Sequence, residues 1–104
     1  MTEQSTPTRR LPVELRQVVV TSNLWSQLHA EHEPVDILRE IGALLARHRS
    51  GDWGDIPAED AAMNDQALIN DTRLMSVYEL LGLKVWIITE ADRSVTTVLL
   101  PEDY

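Results

Sequence analysis

The sequence predicts an α+β domain, and three observations carry that expectation. Apolar residues recur at helical spacing from Val35 to Arg49. After Arg73 the period changes to two. The helical segments also come before the run of strands instead of alternating with it. The expected architecture is a strand, two to three helices and a three-stranded antiparallel meander, with the helices packed on one face of the sheet. Residues 1–12 (MTEQSTPTRRLP) are polar with two prolines and read as a flexible N-terminal arm. Residues 13–104 read as a single domain.

Each element has a local reason. Leu15 to Thr21 (LRQVVVT) is short and β-branched, which favours a strand. Thr21, Ser22 and Asn23 then offer side-chain oxygens that can cap a short helix through Leu24, Trp25 and Leu28. Pro34 is expected to end or interrupt that helix. In the next one, Ile37, Leu38, Ile41, Leu44 and Leu45 form one apolar stripe. Arg47, His48 and Arg49 lie in its last turn, where positive charge suits the helix dipole, and Gly51 is placed to close it.

Asp52 to Ile56 (DWGDI) reads as a loop. Asp55 is expected to cap a third helix, with Pro57 in its first turn. Ala58, Ala61, Ala62, Leu68 and Ile69 would form that helix's buried side, and Glu59 and Asp60 would meet the positive end of its dipole. Leu74 to Leu81, Lys84 to Glu90 and Val95 to Leu100 read as strands joined at Gly82-Leu83 and at Ala91 to Ser94, with Pro101 as the stop. One face of the middle strand carries Val85, Ile87 and Thr89, the other Trp86, Ile88 and Glu90. The second set includes a charge, so Val85 and Ile87 are expected inside. Trp86 would then be partly exposed, or covered by the arm or by a second chain.

The composition narrows the function. The chain has 104 residues, no cysteine and a formal net charge of -8. Absence of cysteine excludes a disulfide scaffold, a zinc-thiolate site and a cysteine nucleophile. No apolar run is long enough to span a membrane. Arg9 and Arg10 are not followed by an apolar stretch, so no secretory signal is read and a cytoplasmic location is expected. Residues 51–71 carry six acids and no base, three-quarters of the excess charge. Such a surface is poor for phosphates, so no direct nucleic-acid binding is expected. It suits a protein partner with a basic surface.

Asp52, Asp55, Glu59 and Asp60 could converge on a hard cation, although their spacing is not that of an EF-hand. Capping and dipole matching explain most of these acids more simply, and no metal or cofactor is assigned. Trp53, between Gly51 and Gly54, reads either as a plug closing the loop or as an exposed anchor for a partner. The lack of phenylalanine favours the plug. His29 and His32 are three apart but lack a third ligand at fixed spacing. Glu90, Asp92 and Arg93 crowd one hairpin end, where acid–base chemistry competes with ordinary turn formation. No serine has a nucleophile-elbow context and no glycine loop could cradle phosphate, so no catalytic residue is assigned.

Two resemblances add to this reading. Gly51-Asp55 (GDWGD) and Val85-Tyr104 (VWIITEADRSVTTVLLPEDY) resemble a family of small bacterial proteins labelled plasmid-related. That resemblance implies association with a mobile element, and no functional residue is carried over from it. The order of elements also resembles that of the RelE/ParE toxins, which implies action on RNA or a topoisomerase, but those proteins tend to be basic. The leading expectation is a non-enzymatic acidic interaction protein of a mobile element that docks a basic surface of a nucleic-acid-handling protein. Anti-restriction or anti-CRISPR activity is one concrete version, and a divergent RelE/ParE-like toxin is the alternative. The expected partner-binding residues are Asp52, Trp53, Asp55, Glu59, Asp60, Asp92 and Arg93. A homodimer through exposed strand residues such as Trp86 and Val98 is also considered.

Overall fold

A computed structural model describes residues 11–104. The elements run β1 (Gln17–Val20), α1 (Ser22–His29), α2 (Pro34–Arg49), α3 (Ala58–Asn70), β2 (Leu74–Leu80), β3 (Leu83–Thr89) and β4 (Val95–Leu99), followed by a 3-10 turn at Pro101–Asp103. The fold is α+β, as the order of patterns predicts. Residues 1–10 of the expected arm lie outside the described residues. The chain is tied down by Val13, which is buried. Its N–H donates to the Arg49 carbonyl at 2.8 Å, and Arg49 Nε donates back to the Val13 carbonyl at 3.0 Å.

The sheet has four strands, not three, in the order β1-β4-β3-β2. The meander is antiparallel as expected, but β1 joins it parallel to β4, with Gln17 opposite Val95 and Val20 opposite Val98. Parallel neighbours need a long crossover, and α1 to α3 with the meander supply it. No helix among the described residues is long and apolar enough to cross a membrane.

Helix boundaries follow side-chain chemistry. Thr21 caps α1 by accepting the Leu24 N–H. Pro34 does not interrupt a helix; it opens α2, where its missing N–H costs nothing. At the other end of α2, the Gly51 N–H reaches the His48 carbonyl at 3.2 Å and the Asp52 N–H reaches the Arg47 carbonyl at 3.0 Å. This is a Schellman closure, and it requires the positive φ of 87° at Gly51. Asp55 does not cap α3: the cap is Pro57 and no side chain serves it. The Asp55 backbone is tied instead to β2 by its N–H, which donates to the Val77 carbonyl at 2.7 Å.

Two apolar clusters fill the interior. The larger joins Leu24 and Leu28 of α1, Ile37, Ile41 and Leu44 of α2, Tyr78, Leu80, Val85, Ile87 and Val98 of the sheet, and Leu100 just after β4. Val85 and Ile87 therefore face the helices, as expected. Leu38 does not: it is 58% exposed, and the α2 stripe runs Ile37, Ile41, Leu44, His48. The smaller cluster joins Val13, Trp53, Ala67, Leu68 and Leu74. On α3 the buried residues are Asn64, Ala67 and Leu68, whereas Ala58 and Ala62 face solvent. The helix is rotated from the expected face because Asn64 bonds the edge of β2. Trp86 lies on the far face of the sheet, half-buried against the Tyr104 ring at 5.4 Å. Val98 is fully buried, so it cannot belong to a dimer surface.

Candidate functional site

The acidic segment divides into an inner part locked into the fold and an outer part facing solvent. The inner part begins at Asp52. Arg47 Nε donates to Asp52 Oδ2 at 2.7 Å and Arg47 Nη2 to Oδ1 at 3.3 Å. The Gly54 N–H donates to the same Oδ1 at 3.2 Å. The Arg47 hydrogen bond holds the Asp52 carboxyl below its ordinary range. Arg47 also lies 4.7 Å from the Tyr78 ring centroid, and the Tyr78 hydroxyl donates to the Asp52 carbonyl. Asp52 is thus paired with the protein's own arginine while its side chain stays half-exposed.

Trp53 is enclosed. It is 5% exposed, with its Nε1 donating to Asp65 Oδ1 at 3.2 Å and its ring set edge-on to His48 at 5.8 Å. The plug is the observed role and the exposed anchor is not. Gly54 completes the closure. It bridges Val77 of β2 in parallel, with φ of 78°, and a Cβ there would lie 2.0 Å from the Val77 carbonyl oxygen. No side chain fits in that gap.

Behind Trp53 lies a polar node that the sequence did not announce. His48, Ser76, Thr89 and Thr96 are all fully buried. His48 Nδ1 is 2.6 Å from Ser76 Oγ, its Nε2 is 2.8 Å from Thr89 Oγ1, and that oxygen is 2.7 Å from Thr96 Oγ1. Burial, with the Arg93 charge adding to it, lowers the His48 pKa to about 4. The ring is therefore neutral at pH 7, with one nitrogen donating and the other accepting. Its expected role as a positive charge at the end of α2 is replaced by one inside the core. The imidazole–hydroxyl pair resembles a nucleophile with its base, but both side chains are enclosed, so the arrangement is structural. The spacing of Ile37, Ile41, Leu44 and His48 was the available signal for this burial.

The outer part comprises Asp55, Glu59 and Asp60, all exposed. Among the described residues no arginine, lysine or histidine forms an ion pair with any of them. Glu59 and Asp60 occupy the first turn of α3, where the dipole offsets their repulsion. Asp60 also lines a shallow groove of about 280 Å³ with Ile56, Met63, Asn64, Thr72, Arg73 and Met75. Met63 is 69% exposed there. The groove has no local sequence signal because its residues come from separate segments.

Asp92 and Arg93 belong elsewhere. They line a cleft of about 500 Å³ with Glu14, Arg16 and Asp71, distinct from the groove at Asp60. Asp92 Oδ1 accepts from Ser94 Oγ at 2.6 Å and from Ser94 N at 3.0 Å, which builds the turn and lowers its pKa. Arg93, at φ of 65°, donates to the Thr72 carbonyl at 2.6 Å and the Ala67 carbonyl at 3.0 Å, where α3 ends. Both follow turn and helix-end chemistry. His29 stacks on Trp25 at 6.1 Å, and no group of three or more potential ligands among the described residues is arranged to hold a metal ion.

Compared with family models, with curated proteins and with solved structures, the chain gives no match.

Proposed function

We infer that this chain is a non-enzymatic interaction protein that docks a basic surface of a protein partner through Asp55, Glu59 and Asp60. The observation that carries this reading is that, among the described residues, no cation pairs with these three exposed carboxylates, while their neighbour Asp52 is paired with Arg47. The Ile56–Met63–Met75 groove beside Asp60 supports it, because apolar surface bordered by charge accommodates the aliphatic stem of a lysine or arginine as well as its head. The resemblance to plasmid-related proteins supports a setting on a mobile element, with a nucleic-acid-handling partner whose own phosphate-binding surface is basic.

The RelE/ParE-like alternative has less support, since Arg93 is directed at the carbonyls that end α3. Affinity capture from the native host, with the wild type and with the Asp55→Asn, Glu59→Gln, Asp60→Asn triple variant as baits, tests the proposal. A basic protein captured by the wild type and lost with the variant supports it. Equal capture by both contradicts it, and growth arrest on expression would favour the toxin.

A further inference from the structure

The two edges of the sheet are finished differently. On β2, the Asn64 side chain donates to the Met75 carbonyl at 2.7 Å and accepts the Met75 N–H at 3.1 Å. The Val77 N–H donates to the Trp53 carbonyl at 3.1 Å, and the Val77 carbonyl accepts the Asp55 N–H at 2.7 Å. That edge is covered by the protein itself at Met75 and Val77. On β1, the Gln17 and Thr21 N–H groups donate to the Ser94 and Val98 carbonyls at 3.2 and 3.1 Å, so the odd-numbered residues face β4. By alternation the main chain of Val18 and Val20 points away from the sheet. No hydrogen bond from another described residue meets it, and Val18 is 39% exposed. An open edge of this kind is a template for another strand.

We propose that β1 pairs antiparallel with β1 of a second copy of this chain, about a two-fold axis at Val19, so that one sheet runs through the dimer. Two features select a second copy as the occupant. The first is self-complementarity. With the axis at Val19, Val18 of each copy lies opposite Val20 of the other. The outward N–H and C=O groups of both residues are then consumed with none left over.

The second feature is charge. Arg16 precedes β1; its side chain is exposed, lies 3.4 Å from the Asp92 carbonyl and adds its charge to the field at the Asp92 carboxylate. Asp103 sits at the far end of the strand, accepting from Thr21 Oγ1 at 2.6 Å and Asn23 Nδ2 at 2.9 Å. Antiparallel pairing sets the Arg16 end of each copy beside the Asp103 end of the other, whereas parallel pairing would align like charges. A four-residue strand buries little area, so the dimer is concentration-dependent. This edge is separate from Asp55, Glu59 and Asp60, and the dimer does not depend on the acidic docking surface.

Sedimentation equilibrium of the full chain, from roughly micromolar to millimolar, tests the pairing. Val18→Pro removes an outward N–H and leaves the β1–β4 ladder in place, since proline is tolerated at such edge positions. The expected result is self-association weakened at least about tenfold, with an unchanged melting curve. Arg16→Glu, a surface change with no part in the ladder, is expected to weaken it too, most at low salt. The Val18 and Val20 amides should exchange more slowly as protein concentration rises. A monomer across the whole range, or a dimer indifferent to both variants, overturns the proposal.

Discussion

Gly51 to Gly54 and Asp55 to Asp60 are adjacent stretches of one acidic segment, yet they serve opposite ends. In the first, the carboxylate is held by Arg47, the tryptophan is sealed over His48, and the backbone is stitched to β2. In the second, three carboxylates stand in solvent without an internal cation among the described residues. The same net charge therefore has two meanings, and the difference lies in what the neighbouring elements reach. The C-terminus of α2 brings Arg47 to Asp52, whereas the N-terminus of α3 offers Glu59 and Asp60 only a dipole. Composition locates such a segment, but contact decides which of its residues remain available.

The inner stretch should break under small changes. The largest effect is expected for Gly54→Ala, because its Cβ would strike the Val77 carbonyl and the Tyr78 ring at a positive φ. A loss of about 5 kcal/mol is expected from a denaturant melt. Trp53→Ala empties the plug of the smaller cluster and should cost about 4 kcal/mol in the same experiment.

His48 gives the third effect. Its folded pKa of about 4 lies below the ordinary 6.5, so the unfolded chain binds the extra proton between these values. Stability should be complete above about pH 6.5 and fall as the pH drops toward 4, by about 3 kcal/mol in all. Melts of the wild type across that window would show this fall, and His48→Gln should flatten it.

Smaller effects mark the boundary between the two stretches. Asp52→Asn removes an exposed ion pair and should cost less than about 1 kcal/mol. On the outer stretch, Glu59→Gln and Asp60→Asn should each change stability by no more than about 1 kcal/mol, the worth of a dipole match, while reducing partner binding. If the outer changes unfold the protein as the inner ones do, the distinction between the stretches fails.

Much of the fold was legible because its signals are local. Pro34 and Gly51 bracket α2, the alternation of Val85 and Ile87 orients β3, and Gly82 marks the hairpin. The parallel pairing of β1 with β4 was not legible, since it joins residues far apart in the chain and leaves no local signature. Leu38 and His48 were misread for one reason: hydropathy placed Leu38 on the stripe and charge placed His48 off it, while the helical angle required the reverse. Asp55 was read as a cap from its residue type, but Pro57 starts α3 later. Of the seven expected contact residues, Asp55, Glu59 and Asp60 are exposed and without an ion pair among the described residues. The other four reach arginine, core or backbone partners whose approach depends on tertiary structure.

The docking claim is tested most directly by the salt dependence of affinity for the captured partner, measured for the wild type and for the Asp55→Asn, Glu59→Gln, Asp60→Asn variant. Wild-type affinity is expected to fall steadily as ionic strength rises and screening shortens from about 10 Å at 0.1 M to about 3 Å at 1 M, with a shallower slope for the variant. Affinity that holds constant across that range, or equal slopes for the two proteins, would contradict it.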